Sequence, residues 1–163
     1  MVQVRVAGVA LDGAGQHVIL LTPQDDADGD GRVLPIWIGA QEATSILIAV
    51  EGAQAPRPLA HDLMRSLLDA ADAAVERVDI TRIEEGTFYA EVTLRAPSGV
   101  HVVDARPSDA VALASRTGAP VFVADDVLEE AGVPGTIVEG SEEQEVEEFQ
   151  RFLDDVDPDD FRG

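Results

Sequence analysis

Residues 103–118, VDARPSDAVALASRTG, change hydrophobic period in their middle, and that change decides how the chain is put together. Up to Ala105 the stretch closes an apolar run, VHVVDA, that reads as a strand. From Pro107 the apolar residues fall at helical spacing until Gly118 stops them. Pro107 ends the strand, Ser108 is predicted to cap the helix, and Asp109 lies in the first turn, where a negative charge meets the positive end of the helix dipole. Asp104 and Arg106 are left over. They are two apart, hence on one side of an extended chain, beside a helix start whose free N–H groups suit a phosphate. Either they form a structural ion pair or they project into a site.

The same order of elements stands upstream. VQVRVAGVAL and QHVILLTP flank the hairpin signal DGAG, and RVLPIWIG follows as a third strand after QDDADGDG. Asp26, Asp28, Asp30 and Gly31 match the opening of a calcium-binding EF-hand loop. Trp37 stands where the closing Glu belongs and strands flank the loop, so a solvated hairpin loop is expected. The period then turns helical in AQEATSILIAVEG, with Ala43, Ile46, Leu47 and Val50 on one face. APRP breaks the chain, and LAHDLMRSLLDAADA resumes a helix with Leu63, Leu67 and Leu68 on one face.

Downstream, VERVDITRI, TFYAEVTLRA and VHVVDA read as strands, PSDAVALASRTG as a helix, PVFVA as a short strand and DDVLEEAG as a last helix. Placing QEATSIL over SDAVALA at a shift of 67 pairs Glu42 with Asp109; HDLMRSL over DDVLEEA at a shift of 64 pairs Asp62 with Asp126. The fold class predicted is α+β: duplicated strand-strand-strand-helix-helix units forming a mixed or antiparallel sheet with packed helices. Residues 1–138 are expected to form this domain. Residues 139–163 are expected to form an acidic C-terminal amphipathic helix with Val146, Phe149, Phe152 and Leu153 in a stripe, then a tail.

Composition bounds the function. The 163 residues are 45% apolar with only 4% aromatics, so one domain with a core of Val, Ile, Leu and Ala is expected. There is no cysteine, which excludes disulfides and thiolate chemistry and leaves His, Asp and Glu as metal ligands. No apolar run approaches the roughly 20 residues of a membrane span, and the N-terminus lacks the pattern of a signal peptide, so no membrane partner and a cytoplasmic location are expected. The net charge is -21, and all eleven basic residues are Arg. A halophilic, high-salt cytoplasm or a GC-rich coding bias gives such a chain. Residues 52–120 carry 7 Arg against 10 acids while 121–163 carry 2 against 15, so a polyanion finds its nearest match in the middle third.

A second constellation is RPLAHDLMR, residues 57–65. A His beside a carboxylate serves as a general base or metal ligand near neutral pH, and two Arg hold a phosphodiester. Alternatively, His61 and Asp62 only cap a helix. His17 and His101 fall in strands without acidic partners at ligand spacing and are expected on the strand surface. Phosphate-loop, dinucleotide, zincin and serine-hydrolase motifs are absent from the sequence.

In order and spacing, LPIWIGAQEA, RPLAHDLMRSLL, EGTFYAEVTL, VDARPSDAVALASRTGAPVFVADDVLEEAG and the acidic EEFQRFLDDVDPDDF resemble the bifunctional nuclease domain family. The resemblance covers roughly residues 1–135 and the acidic tail. It implies a small α+β domain of duplicated units, a homo-oligomer, and cleavage of DNA and RNA. Two departures are the absence of Lys and the insert DDADGDG. Taken with the chemistry, the resemblance favours Glu42, His61, Asp62, Asp104, Arg106 and Asp109. Mg²⁺ or Mn²⁺ would sit on Glu42, Asp104 and Asp109, His61 with Asp62 would position or deprotonate water, and Arg57, Arg65 and Arg106 would offset phosphate charge. The alternative is a non-catalytic oligomeric binding or regulatory module whose charged motifs cap helices and pair across subunits.

Overall fold

The computed structural model describes residues 1–25 and 31–135. The expected acidic helix and tail, and Asp26, Asp28 and Asp30, lie outside the described residues. The first unit is β1 (Val2–Leu11), β2 (His17–Pro23), β3 (Arg32–Ile38), α1 (Ala40–Val50) and α2 (Ala60–Ala70). The second is β4 (Ala74–Glu84), β5 (Thr87–Ala96), β6 (Gly99–Ala105), α3 (Pro107–Thr117), β7 (Val121–Val123) and α4 (Asp125–Ala131), followed by the short β8 (Val133–Pro134). Among the described residues no helix is long and apolar enough to cross a membrane.

Each unit contributes an antiparallel meander, and the sheet order is β6-β5-β4-β7-β1-β2-β3-β8. Three residues of β7 join the halves, pairing antiparallel with β1 and parallel with β4. The result is the mixed sheet of an α+β fold, as the sequence predicts. Equivalent helices of the two units, α1 and α3, pack against each other. Their buried faces are built largely of small and branched residues: Ala43, Ile46 and Leu47 on α1, Ala110, Val111, Leu113 and Ala114 on α3. Such residues let the helix axes approach closely while filling the space beneath the sheet.

Three details depart from expectation. Ser108 is not the cap of α3: Arg106 holds the extended N-cap conformation and Pro107 takes the first helical position, which its fixed φ suits. Proline thus starts the helix one residue earlier than the Ser signal does. His17 is buried, because β2 lies between β1 and β3 and residues 17–21 are covered throughout. Burial lowers the pKa of its imidazole and favours the neutral ring. Helix α2 buries its predicted stripe only at one end: Leu68 packs against the core, Leu63 and Leu67 are 52% and 60% exposed, and His61 is the residue it buries fully. Its inward face is polar, for a reason that lies in α3.

Candidate functional site

The strand-to-helix junctions of the two units open on one cleft of about 550 Å³. Gly39 and Ala40 at the start of α1 line it, as do Arg106, Pro107 and Ser108 at the start of α3. Neither helix has a side-chain hydrogen bond at its N-cap. Trp37 at the end of β3 and Phe88 at the start of β5 complete the lining that matters here, with His17 beside them.

Behind the cleft, three acids of the sequence reading share one local address. Counting from the N-caps Gly39, Leu59 and Arg106, the residues Glu42, Asp62 and Asp109 are each the third residue of a helix. Carboxylates there answer the positive end of the helix dipole. Asp62 shows it directly, accepting the Leu59 N–H at 2.9 Å. The Glu42 carboxylate folds back over Gly39 so closely that a Cβ at that position would collide with it.

These acids are then tied together. Arg106 donates from Nε to Asp109 Oδ2 at 2.8 Å and from Nη2 to Glu42 Oε1 at 3.2 Å, which leaves its Nη1 uncommitted among the described residues. The other oxygen of Asp109 faces His61 Nε2 at 2.9 Å, and His61 Nδ1 lies 2.7 Å from Ser45 Oγ. Arg116 donates to Ser45 Oγ at 2.9 Å and to Asp62 Oδ1 at 2.7 Å. Because Arg116 already donates to the hydroxyl, the arrangement is satisfied when Ser45 gives its proton to Nδ1 and the ring gives Nε2–H to Asp109. Burial works to raise the pKa of Asp109, but the hydrogen bonds from His61 and Arg106 outweigh it and hold the carboxyl below its ordinary value.

Ser45, His61 and Asp109 have the residue types of a nucleophilic triad, yet they cannot act as one. Ser45 is 4% exposed and its oxygen accepts from Arg116, so no substrate atom reaches it. The chain Glu42–Arg106–Asp109–His61–Ser45–Arg116–Asp62 is instead a polar clasp that joins α1, α2 and α3. It explains why α2 faces inward with its polar side. Arg65 adds to it by donating to the Arg116 carbonyl at 2.8 Å.

Of the residues favoured by sequence, the structure therefore brings together Glu42, His61, Asp62, Arg65, Arg106 and Asp109. Arg57 is exposed in the loop before α2. Asp104 stands apart, exposed on the edge strand β6 opposite Glu91, and its side chain has no hydrogen bond or ion pair among the described residues. Neither His61 nor Asp109 lines the cleft; His61 is linked to it through Asp109 and then Arg106. Ser45 and Arg116 were not anticipated. Their one sequence signal is a polar residue inside an otherwise apolar helical run, as in ATSILIAV and AVALASR.

The donor set for a divalent metal does not fit this arrangement. Both oxygens of Asp109 are committed to His61 and Arg106, Glu42 is held by Arg106, and Asp104 is elsewhere. Among the described residues no three of His, Asp and Glu gather in a way that would hold an ion.

The bifunctional nuclease domain signature matches residues 20–136, and the chain belongs to that family. An uncharacterized protein of Mycobacterium tuberculosis (strain H37Rv) is 42% identical over 169 residues, covering 100% of this chain and 99% of that protein. Bifunctional nuclease 1 of Oryza sativa subsp. japonica is 27% identical over 115 residues, which is 69% of this chain and 34% of the rice protein. Bifunctional nuclease 2 of Arabidopsis thaliana is 28% identical over 99 residues, 59% of this chain and 30% of the plant protein.

Proposed function

We propose that this protein hydrolyses phosphodiester bonds in DNA and RNA at the cleft between the starts of α1 and α3, with Arg106 as its phosphate contact. The observation that carries the reading is the meeting of two helix N-termini with a partly free guanidinium in one cavity. Oriented backbone N–H groups and a guanidinium stabilise the charge that builds on phosphoryl oxygens when water attacks. Asp109 and Glu42 aim the guanidinium, and His61 fixes Asp109 from behind. Membership of the bifunctional nuclease domain family and the names of the plant relatives support the reading. The purified chain is expected to cleave single-stranded DNA and RNA oligonucleotides. Assays run across salt concentrations, with Mg²⁺, Mn²⁺ or chelator, test this, and no cleavage under any of them overturns it.

A second reading, an oligomeric binding or regulatory module, is favoured by the exposed apolar surface. Leu63, Met64 and Leu67 face outward from α2, and Val100, Val102 and Val103 lie open on the edge strand β6. An unpaired apolar edge and an uncovered helix face invite a second copy of the chain. Light scattering is expected to give a mass above 17.3 kDa. A monomer independent of concentration removes self-association under either reading.

A further inference from the structure

Trp37 is the chain's one tryptophan, and it is 55% exposed. It is nevertheless held in place. Its indole N–H donates to Asp12 Oδ2 at 3.0 Å, while Asp12 Oδ1 accepts the N–H groups of Ala14 at 2.8 Å and Gln16 at 2.9 Å. The carboxylate is thus fixed in the β1–β2 turn, and it anchors the ring by its polar edge. The hydrogen bond from Trp37 is the largest influence lowering the pKa of Asp12, so the anchor stays charged at neutral pH. An aromatic ring ordered without being buried has given up its freedom before any ligand arrives, and its apolar surface is still available.

Trp37 is one of the residues that line the cleft, together with Arg106 and Phe88. The cleft volume of about 550 Å³ falls within the range, roughly 300–1,000 Å³, that holds a small organic ligand. A preordered aromatic surface beside a guanidinium suits a base and its phosphate together: the ring stacks the base and the cation meets the backbone. We infer that Trp37 is a stacking platform for a nucleobase next to the phosphate held by Arg106. The occupant is therefore single-stranded nucleic acid, because the bases of a duplex already stack on each other and do not offer their faces. This rests on the reading of the cleft as a phosphodiester site.

A lone tryptophan makes the test direct. The full chain is titrated with a phosphorothioate-linked thymidine oligonucleotide, which resists cleavage, and with an abasic oligonucleotide of the same length and charge. Fluorescence of Trp37 and anisotropy of a dye on the oligonucleotide are both read. The thymidine strand is expected to quench Trp37 and the abasic strand to leave it unchanged. Trp37→Ala is expected to weaken binding of the thymidine strand about 10-fold or more, with little effect on the abasic strand, and Trp37→Phe to retain most of the affinity. Binding of both strands with equal affinity and no quenching overturns the stacking role and leaves the phosphate site standing. Binding of neither strand overturns the phosphodiester reading and the stacking role with it.

Discussion

Replacing Arg116 with methionine is expected to destabilise the protein by about 3 kcal/mol, because it removes the centre of the clasp while keeping the volume of the stem. The Arg116 side chain is 4% exposed and donates to Asp62, to Ser45 and to the Ala112 carbonyl. Without it α2 loses the Asp62 anchor and keeps His61 on Ser45 and Asp109, the Arg65 bond to the backbone carbonyl at position 116, and Leu68 against the core. The partner Asp62 is 37% exposed, so water recovers part of its charge and the loss falls toward the lower end of the range for broken buried pairs. The melting temperature should drop by roughly 6–12 °C.

The effect depends on pH in a determined direction. Burial pushes the Asp62 carboxyl up, but the hydrogen bonds from Arg116 and from the Leu59 N–H outweigh it, and its pKa lies below the ordinary 3.8. A carboxyl depressed in the folded state stabilises it fully above the unfolded value and loses that contribution as pH falls through the folded one. The gap between parent and Arg116→Met should hold steady from pH 7 to about 4 and narrow below it. Urea melts at several pH values check this. A gap under about 0.5 kcal/mol that does not change with pH would mean the clasp is not holding α2.

The second large effect is expected on activity. Arg106→Gln should reduce oligonucleotide cleavage about 100-fold or more, the usual cost of deleting a donor aimed at developing charge. Stability should move little, since Arg106 is 66% exposed and its ion pairs with Glu42 and Asp109 are screened by water. Arg106→Lys should recover only part of the loss, because an ammonium keeps the charge but not the fork that reaches two carboxylates and a phosphate together. A large fall in melting temperature, with activity lost only in proportion, would make Arg106 a structural tie and sink its role at the phosphate.

How far the sequence could be read follows from what each signal encodes. Periodicity located the strands and helices because it is a local property, and Gly118, with φ 76°, stops α3 where the sequence placed it. The internal shift of 67 found Glu42 and Asp109, which do occupy the same position in equivalent helices. Direction was harder. The stripe Leu63, Leu67 and Leu68 shows that α2 is amphipathic, but not which side faces in; that was decided by Arg116, 54 residues away from Asp62. Asp104 and Arg106 were placed on one side on the premise of an extended chain through both. The backbone is indeed still extended at the N-cap Arg106, but its long side chain reaches across to the helix acids Asp109 and Glu42, while Asp104 stays on the sheet edge.

The three-residue strand β7 has a consequence for how the molecule forms. Hairpins β1–β2–β3 and β4–β5–β6 close between neighbours in sequence, whereas Val2 meets Val123 across nearly the whole described chain. Contacts so distant come at a high cost in loop-closure entropy and tend to limit the rate of folding. Each half can draft its meander early, but the cleft exists only once Val121, Phe122 and Val123 have slotted between β1 and β4. The β7 seam is thus expected to be among the last contacts to form, and the cavity between the two helix starts to be completed with it.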